Sequence, residues 1–297
     1  MGHPSLVRTA ASKRAPGALV CKGSPTMGKQ RLDVMLAERG LFPSRARAAA
    51  SIMAGEVRIG RGGRRAAKPG ELVDEHESLT VTAPARFASR GGLKLDHALL
   101  RCDLDVRGRR ALDVGSSTGG FVDCLLQRGV SEVVAVDVGY GTLDYRLRTD
   151  PRVHVRERTN ARALQRAELP YAPDLATIDV SFISLEKVLA PVLGCMAQRY
   201  DMLALVKPQF EVGRKRVGKG GVVRDASHRR EALVAVGAAA LALGAAVRGY
   251  RSSGLPGPKG NRETFIWLAD ARRAGSASAD GPAGVAELDA MAREVEP

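Results

Sequence analysis

From Ala111 to Ala269 seven short apolar runs recur, most of them separated by a stretch of helical spacing: ALDV (111–114), VVAVD (133–137), VHVR (153–156), LATID (175–179), MLALV (202–206), VRGYR (247–251) and TFIWLA (264–269). Runs of Val, Leu, Ile and Ala without polar alternation mark strands covered on both faces, and the helices between them supply the cover. This rhythm predicts a doubly wound α/β domain with a seven-stranded, mostly parallel sheet. Right-handed crossovers would bring the carboxyl ends of the parallel strands to one edge, where ligands bind.

The residues before this domain have a different texture. From Arg31, Leu32, Met35 and Leu36 fall at helical spacing and Gly40 ends the helix, while Ser44 caps a second helix that stops at Gly55. Val57-Arg58-Ile59 and Leu79-Thr80-Val81 then read as strands, with a Gly62-Gly63 turn between them. Charge divides along the same line. Residues 1–92 hold 16 Lys/Arg against 7 Asp/Glu, and the other 205 residues hold 30 against 25. A basic, aromatic-poor α+β module of this kind suits contact with the phosphates and shape of structured RNA, although a solvated basic face has the same composition. The candidate RNA contacts are Arg31, Arg45, Arg47, Arg58, Arg61, Arg64, Arg65, Lys68 and Arg90. Charge reversal at Arg45 and Arg64 is expected to weaken RNA binding.

Several classes are disfavoured. Cys21, Cys102, Cys124 and Cys195 form no CxxC pair, so neither a disulfide framework nor a metal site is expected, and a reducing cytoplasm is the expected location. The uncharged run of 16 residues between Glu231 and Arg248 is too short and too rich in Ala and Gly to span a bilayer. No membrane partner is expected.

LDVGSSTGGF (112–121) is a strand entering a Gly-rich turn and a helix, but Ser117 stands where a dinucleotide fingerprint needs its second glycine. Asp113, Gly115, Ser117, Gly119 and Gly120 would let a nucleoside cofactor lie against bare backbone. Asp137, at the end of the next strand, could accept from its ribose hydroxyls. Tight helix packing for the glycines and a turn role for Asp137 remain alternatives. Four ionisable residues stand at the predicted ligand edge or open a helix beside it: Lys94, Asp179, Lys207 and Glu263. A lysine in a dry or cationic site can act as a base, and carboxylates hold lysines in place and stabilise a developing cation. Surface or capping roles are the plain alternatives for each, and Phe182 is expected in the core.

KQRLDVMLAERGLFPSRARAAASIMAGEVRIG resembles an S4-type RNA-binding module. SRGGLKL, LDVGSSTGGF, DVGYGTL, ERTNAR, DVSFISL, LVKPQFEVG, GKGGVVRD and LPGPKGNRE closely resemble the TlyA family of ribosomal RNA 2′-O-methyltransferases, historically labelled hemolysin-like, and more distantly the FtsJ-type enzymes. The resemblance implies a class I, Rossmann-like methyltransferase domain using S-adenosylmethionine. It also implies a ribose 2′-hydroxyl substrate, cytidine in ribosomal RNA presented by a subunit. Lys94, Asp179, Lys207 and Glu263 match the family's tetrad, with Lys207 as base, Asp179 at the reacting methyl, and Lys94 and Glu263 setting charge and orientation. Asn160 joins Asp137 at the cofactor. The expected organisation is a flexible extension (1–28), the S4-like domain (29–83), a linker (84–92) that moves Lys94 into place when RNA docks, the methyltransferase domain (93–270) and a flexible tail (271–297). A catalytically silent rRNA assembly factor, a membrane-active hemolysin and a NAD enzyme are the competing readings.

Overall fold

The computed structural model describes residues 28–81, 86–257, 259–271 and 285–296. The expected extension therefore lies almost wholly outside the described residues. The chain divides into two compact units, 1–85 and 86–297.

In the first unit β1 (Lys29–Arg31) leads into α1 (Leu32–Glu38) and α2 (Arg45–Ala54), followed by β2 (Val57–Ile59), β3 (Arg64–Arg65), β4 (Leu72–Asp74) and β5 (Leu79–Val81). Ser44 Oγ accepts the Arg47 amide at the start of α2, and Gly55 closes that helix at φ +78°. β1 pairs antiparallel with β4, and β2 lies between β3 and β5. Leu32, Met35, Leu36, Ile52, Val57 and Leu79 form the core. The basic residues remain outside it. Arg31 and Arg45 both reach Asp33, at 3.0 and 3.4 Å, and Arg64 pairs with Glu71 at 2.6 Å. Arg47, Arg58, Arg61, Arg65 and Lys68 are exposed. Arg45 and Arg64 are thus tied to carboxylates within the unit.

The second unit runs α3 (Arg90–Cys102), β6 (Arg110–Val114), α4 (Gly120–Gln127), β7 (Glu132–Val136), α5 (Tyr145–Arg148), β8 (Val153–Arg156), β9 (Leu175–Ile178), α6 (Glu186–Cys195), β10 (Asp201–Val206), α7 (Pro208–Glu211), α8 (Ala226–Ala242), β11 (Ala245–Ser252), β12 (Thr264–Asp270) and α9 (Val285–Val295). The sheet order is β11-β12-β10-β9-β6-β7-β8, and only β12 runs against its neighbours. Alternate strand residues enter two cores. Ala111, Val133, Leu203 and Phe265 pack under α3 and α4, while Leu112, Val134, Met202 and Ile266 pack under α6, α8 and α9. After β6 the chain builds outward through β7 and β8, then returns to place β9 on the other side. The switch point therefore lies between the ends of β6 and β9.

Two expectations about segments need correction. Arg90, Gly91 and Gly92, placed in the linker, are the first residues of α3. Phe87 is buried in the core of the second unit, and the Ala88 amide donates to Asp123 Oδ2 at 2.8 Å. An aromatic ring in this stretch can be covered by α3 and α4, so the segment joins the second unit. Residues 285–295, expected in a flexible tail, form α9: Leu288 and Ala292 are fully buried against α8 and β11. Leu288, Ala292 and Val295 recur at helical spacing, a pattern obscured by the Ala, Gly and Ser that precede it. Residues 272–284 of that segment are outside the described ones. Among the described residues, no helix is long and apolar enough to cross a membrane.

Candidate active site

At the switch point a cavity of about 590 Å³ opens between the Gly-rich turn, the start of α3 and the loops after β9, β10 and β11. Lys94, Asp179, Lys207 and Glu263 all line it. Their approach to one edge follows from the sheet. Ile178 and Val206 are the last residues of parallel strands, so Asp179 and Lys207 emerge together. β12 is reversed and its first residue, Thr264, pairs with Val206, which puts Glu263 beside them. Lys94 arrives from α3, on the same inward stripe as Leu95 and Ala98.

These side chains form two ion pairs. Lys207 Nζ lies 2.6 Å from Asp179 Oδ1 and donates to Ser181 Oγ at 2.9 Å. Lys94 Nζ bonds Glu263 Oε2, and both groups are buried. Removing either partner of such a buried pair leaves an uncompensated charge. The tetrad thus pairs two lysines with two carboxylates, while Arg90 and Lys259 add positive charge to the cavity lining.

The Gly-rich turn is shaped for close approach. Gly115 has φ +86°, and a Cβ there would stand 2.5 Å from the Asp179 carbonyl oxygen. Only glycine meets both conditions. Gly120 abuts Gly92 in the same way, where α4 and α3 start side by side. Of the expected cofactor residues, Gly115, Ser117 and Gly120 line the cavity, together with Ser116, Thr118 and Phe121. Asp113, Gly119, Asp137 and Asn160 do not line it. Asp113 is fully buried, accepts from Thr177 Oγ1 at 2.6 Å and is pushed up to about 7 by burial, with Asp179 and Asp137 adding to the rise. Gly119 caps α4 at φ +91°. The Asp137 carboxylate accepts the Ser117 and Gly139 amides, each at 2.7 Å, and so braces the turn. Asn160 is exposed and accepts the Arg162 amide at 3.1 Å, capping a short 3₁₀ turn.

Arg90 lines the cavity, away from the other proposed RNA contacts in sequence. The structure overturns one expectation and adds two features that the sequence does not place at the site. Phe182, expected in the core, is 91% exposed with φ +63°. Its ring stands 5.3 Å from that of Phe210, and both line the cavity. A bulky residue held at positive φ carries strain and marks a site under functional constraint. Glu211 accepts the Leu185 amide at 3.0 Å and so ties the loop after Asp179 to the helix after Lys207; burial raises its carboxyl above the ordinary range. Arg214, Lys215, Arg216 and Lys219 are exposed in the loop that carries Val217 and Gly221 to the cavity. The GRKRVGKGG run was visible as charge, but nothing in the sequence placed it at the mouth.

The FtsJ-like methyltransferase family matches residues 87–270, and the S4 domain matches residues 30–79. The 16S/23S rRNA (cytidine-2′-O)-methyltransferase TlyA of Mycobacterium tuberculosis (strain ATCC 25618 / H37Rv) is 49% identical over 242 residues, which cover 81% of this chain and 90% of that protein. Hemolysin A of Brachyspira hyodysenteriae is 36% identical over 197 residues, covering 66% and 81%. A solved structure from Streptococcus thermophilus that carries a provisional hemolysin name aligns with a TM-score of 0.65 at 39% identity, covering 91% of this chain and 97% of that one. With both modules matched in order and one close relative aligned across most of its length, the chain belongs to the TlyA family of FtsJ-like methyltransferases.

Proposed function

We propose that the protein methylates the 2′-hydroxyl of a cytidine in ribosomal RNA, with S-adenosylmethionine as donor and assembled ribosomal subunits as substrate. The observation that carries this reading is the meeting of Lys207–Asp179 and Lys94–Glu263 in a cavity walled by the glycine turn. The glycine cradle fits a nucleoside cofactor: a Cβ at 115 would occupy it, and Ser116 to Thr118 line it. Bound there, S-adenosylmethionine supplies a methyl group on a positively charged sulfur.

Transfer forms an O–C bond, breaks an S–C bond and releases the hydroxyl proton. Lys207 accepts that proton as a neutral amine, and Ser181 holds the amine in place. That form is favoured once a sulfonium cation lies beside it and its own ammonium proton has passed to solvent. As the positive charge leaves sulfur, it reappears on Lys207 Nζ. The Asp179 carboxylate therefore has a cation to stabilise at the start of the step and at its end. Lys94 and Glu263 neutralise each other in the dry part of the cavity and fix its shape. Phe182 and Phe210 give the target base an aromatic face, and the basic loop at the mouth meets the phosphates. The S4 unit supplies sequence-independent grip on folded RNA. A ribosomal substrate places the work where ribosomes are, in the cytoplasm.

The deciding experiment is incubation of the protein with methyl-labelled S-adenosylmethionine and isolated subunits, followed by nuclease mapping. Label in a cytidine 2′-O-methyl is expected, and label confined to a base would overturn the reading. Phe182 adds a separate check. Phe182→Ala should lower kcat/KM for RNA by about 10- to 100-fold, the equivalent of one lost stacking contact. Affinity for the cofactor, by calorimetry, should hold. Phe182→Gly should lose the same activity and gain a small amount of thermal stability, because glycine relieves the positive φ.

A further inference from the structure

Behind the strand ends that carry Lys207 and Glu263 lies a buried charge pair that the transfer step does not use. Val206 and Pro208 flank Lys207, and Arg262 and Thr264 flank Glu263. All four wall a second, very small cavity whose remaining lining includes Arg229 of α8 and Glu296, which follows α9. Both charged residues are more than nine-tenths buried. Arg229 Nε and Nη2 each lie 2.8 Å from Glu296 Oε2, and Arg262 Nη1 stands 3.8 Å from the same oxygen.

Arg229 continues the path toward the reaction. Its Nη1 donates to the carbonyls of Val223 at 3.2 Å and Arg224 at 2.7 Å. The Val223 amide donates to Asn261 Oδ1 at 2.9 Å, and Asn261 Nδ2 donates to the Gly221 carbonyl at 2.7 Å. The Gly257 amide donates to the Asn261 carbonyl at 2.9 Å, and the Ser253 amide donates to that of Glu263 at 3.1 Å. Asn261, Gly221 and Gly257 line the reaction cavity alongside Glu263. An unbroken set of hydrogen bonds thus runs from Glu296 to the loop that presents a member of the tetrad.

A buried ion pair adds little net stability over well-packed apolar residues, because desolvation offsets the attraction. What a planar guanidinium does supply is fixed direction at several acceptors. We infer that Glu296 is a positioning residue for methyl transfer. Through Arg229 and Asn261 it holds the 253–263 loop so that Glu263 meets Lys94, and it supports the backbone behind Lys207. The inference rests on the tetrad being the catalytic machinery.

The test uses the full chain with isolated subunits, comparing Glu296→Gln, the double variant Arg229→Met/Glu296→Leu, and Lys207→Met as reference. Glu296→Gln is expected to lower kcat about 10-fold or more, as small misplacements of reacting groups do. The KM for S-adenosylmethionine should stay near wild type while the melting temperature falls. The double variant removes both charges and leaves only the Val223 and Arg224 carbonyls without their donor, so its melting temperature should recover in part while kcat stays low. Recovery of kcat together with stability, or a wild-type kcat in Glu296→Gln, overturns the positioning role. If Glu296→Gln does not fold, the double variant decides alone. Full activity in Lys207→Met would instead sink the tetrad reading, and this inference with it.

Discussion

A Lys207→Met enzyme should bind S-adenosylmethionine and RNA yet transfer methyl groups about 10³-fold more slowly, the scale of a lost general base. Methionine keeps the length of the side chain and packs in the same space, but it has no lone pair basic enough to take a proton. Lys207 caps the short α7 through its backbone, and its side chain contributes no bond to that helix. The fold should therefore survive, at a lower melting temperature because Asp179 loses its partner, as melting curves would verify. Lys207→Arg separates base from charge. Arginine restores a cation beside Asp179 but stays protonated. If Lys207 only supplied charge, Lys207→Arg would recover most of the rate; as a base, it leaves the rate as low as in Lys207→Met. Measured incorporation of labelled methyl into subunits distinguishes the two, and transfer at the wild-type rate in both variants would remove Lys207 from the chemistry.

Gly115→Ala should abolish cofactor binding. The added methyl would lie 2.5 Å from the Asp179 carbonyl oxygen, and the residue would be held at φ +86°. Strain and overpacking together are expected to cost about 2–4 kcal/mol of stability. The carbonyl cannot retreat without shifting Asp179, so the damage reaches the ion pair with Lys207. Gly108→Ala is the matched control. Its φ is +72°, but nothing lies within 4 Å of the new Cβ. It should lose about 1 kcal/mol from backbone strain alone and keep full affinity by calorimetry. Equal losses of affinity in both variants would show that the turn is not a cradle.

The seven strands were legible because Val, Leu and Ile without alternation can only be buried on both sides. The caps at Ser44 and Gly55 were legible because each solves a local backbone problem. Features that depend on partners distant in sequence were not. Phe182 was expected inside, as its hydrophobicity suggests, yet the short SFIS segment turns at positive φ and faces the ring outward. For Asp137 a turn role stood beside the ribose contact, and its bond to the Gly139 amide two residues on is that turn. Its bond to the Ser117 amide, 20 residues back, has no signature in sequence spacing. The short β1 and β4 escaped notice because Lys29–Arg31 is wholly polar and Leu72–Asp74 buries only Val73, so neither shows the apolar alternation that marks β2 and β5.

By itself the sequence determined the order of the seven strands of the larger domain, the bare backbone of the turn after β6 and the chemical types available at the strand ends. These are decided within a few residues, by burial periodicity and by the φ that only glycine tolerates. The tertiary structure decided which charges meet. Lys94 and Glu263 are 169 positions apart and bond only because β12 runs antiparallel, which returns its first residue to the edge where β10 ends. Arg229 and Glu296 meet only because α9 docks on α8. Such pairings are settled by sheet order and helix packing, which belong to the chain as a whole and to no local stretch of it.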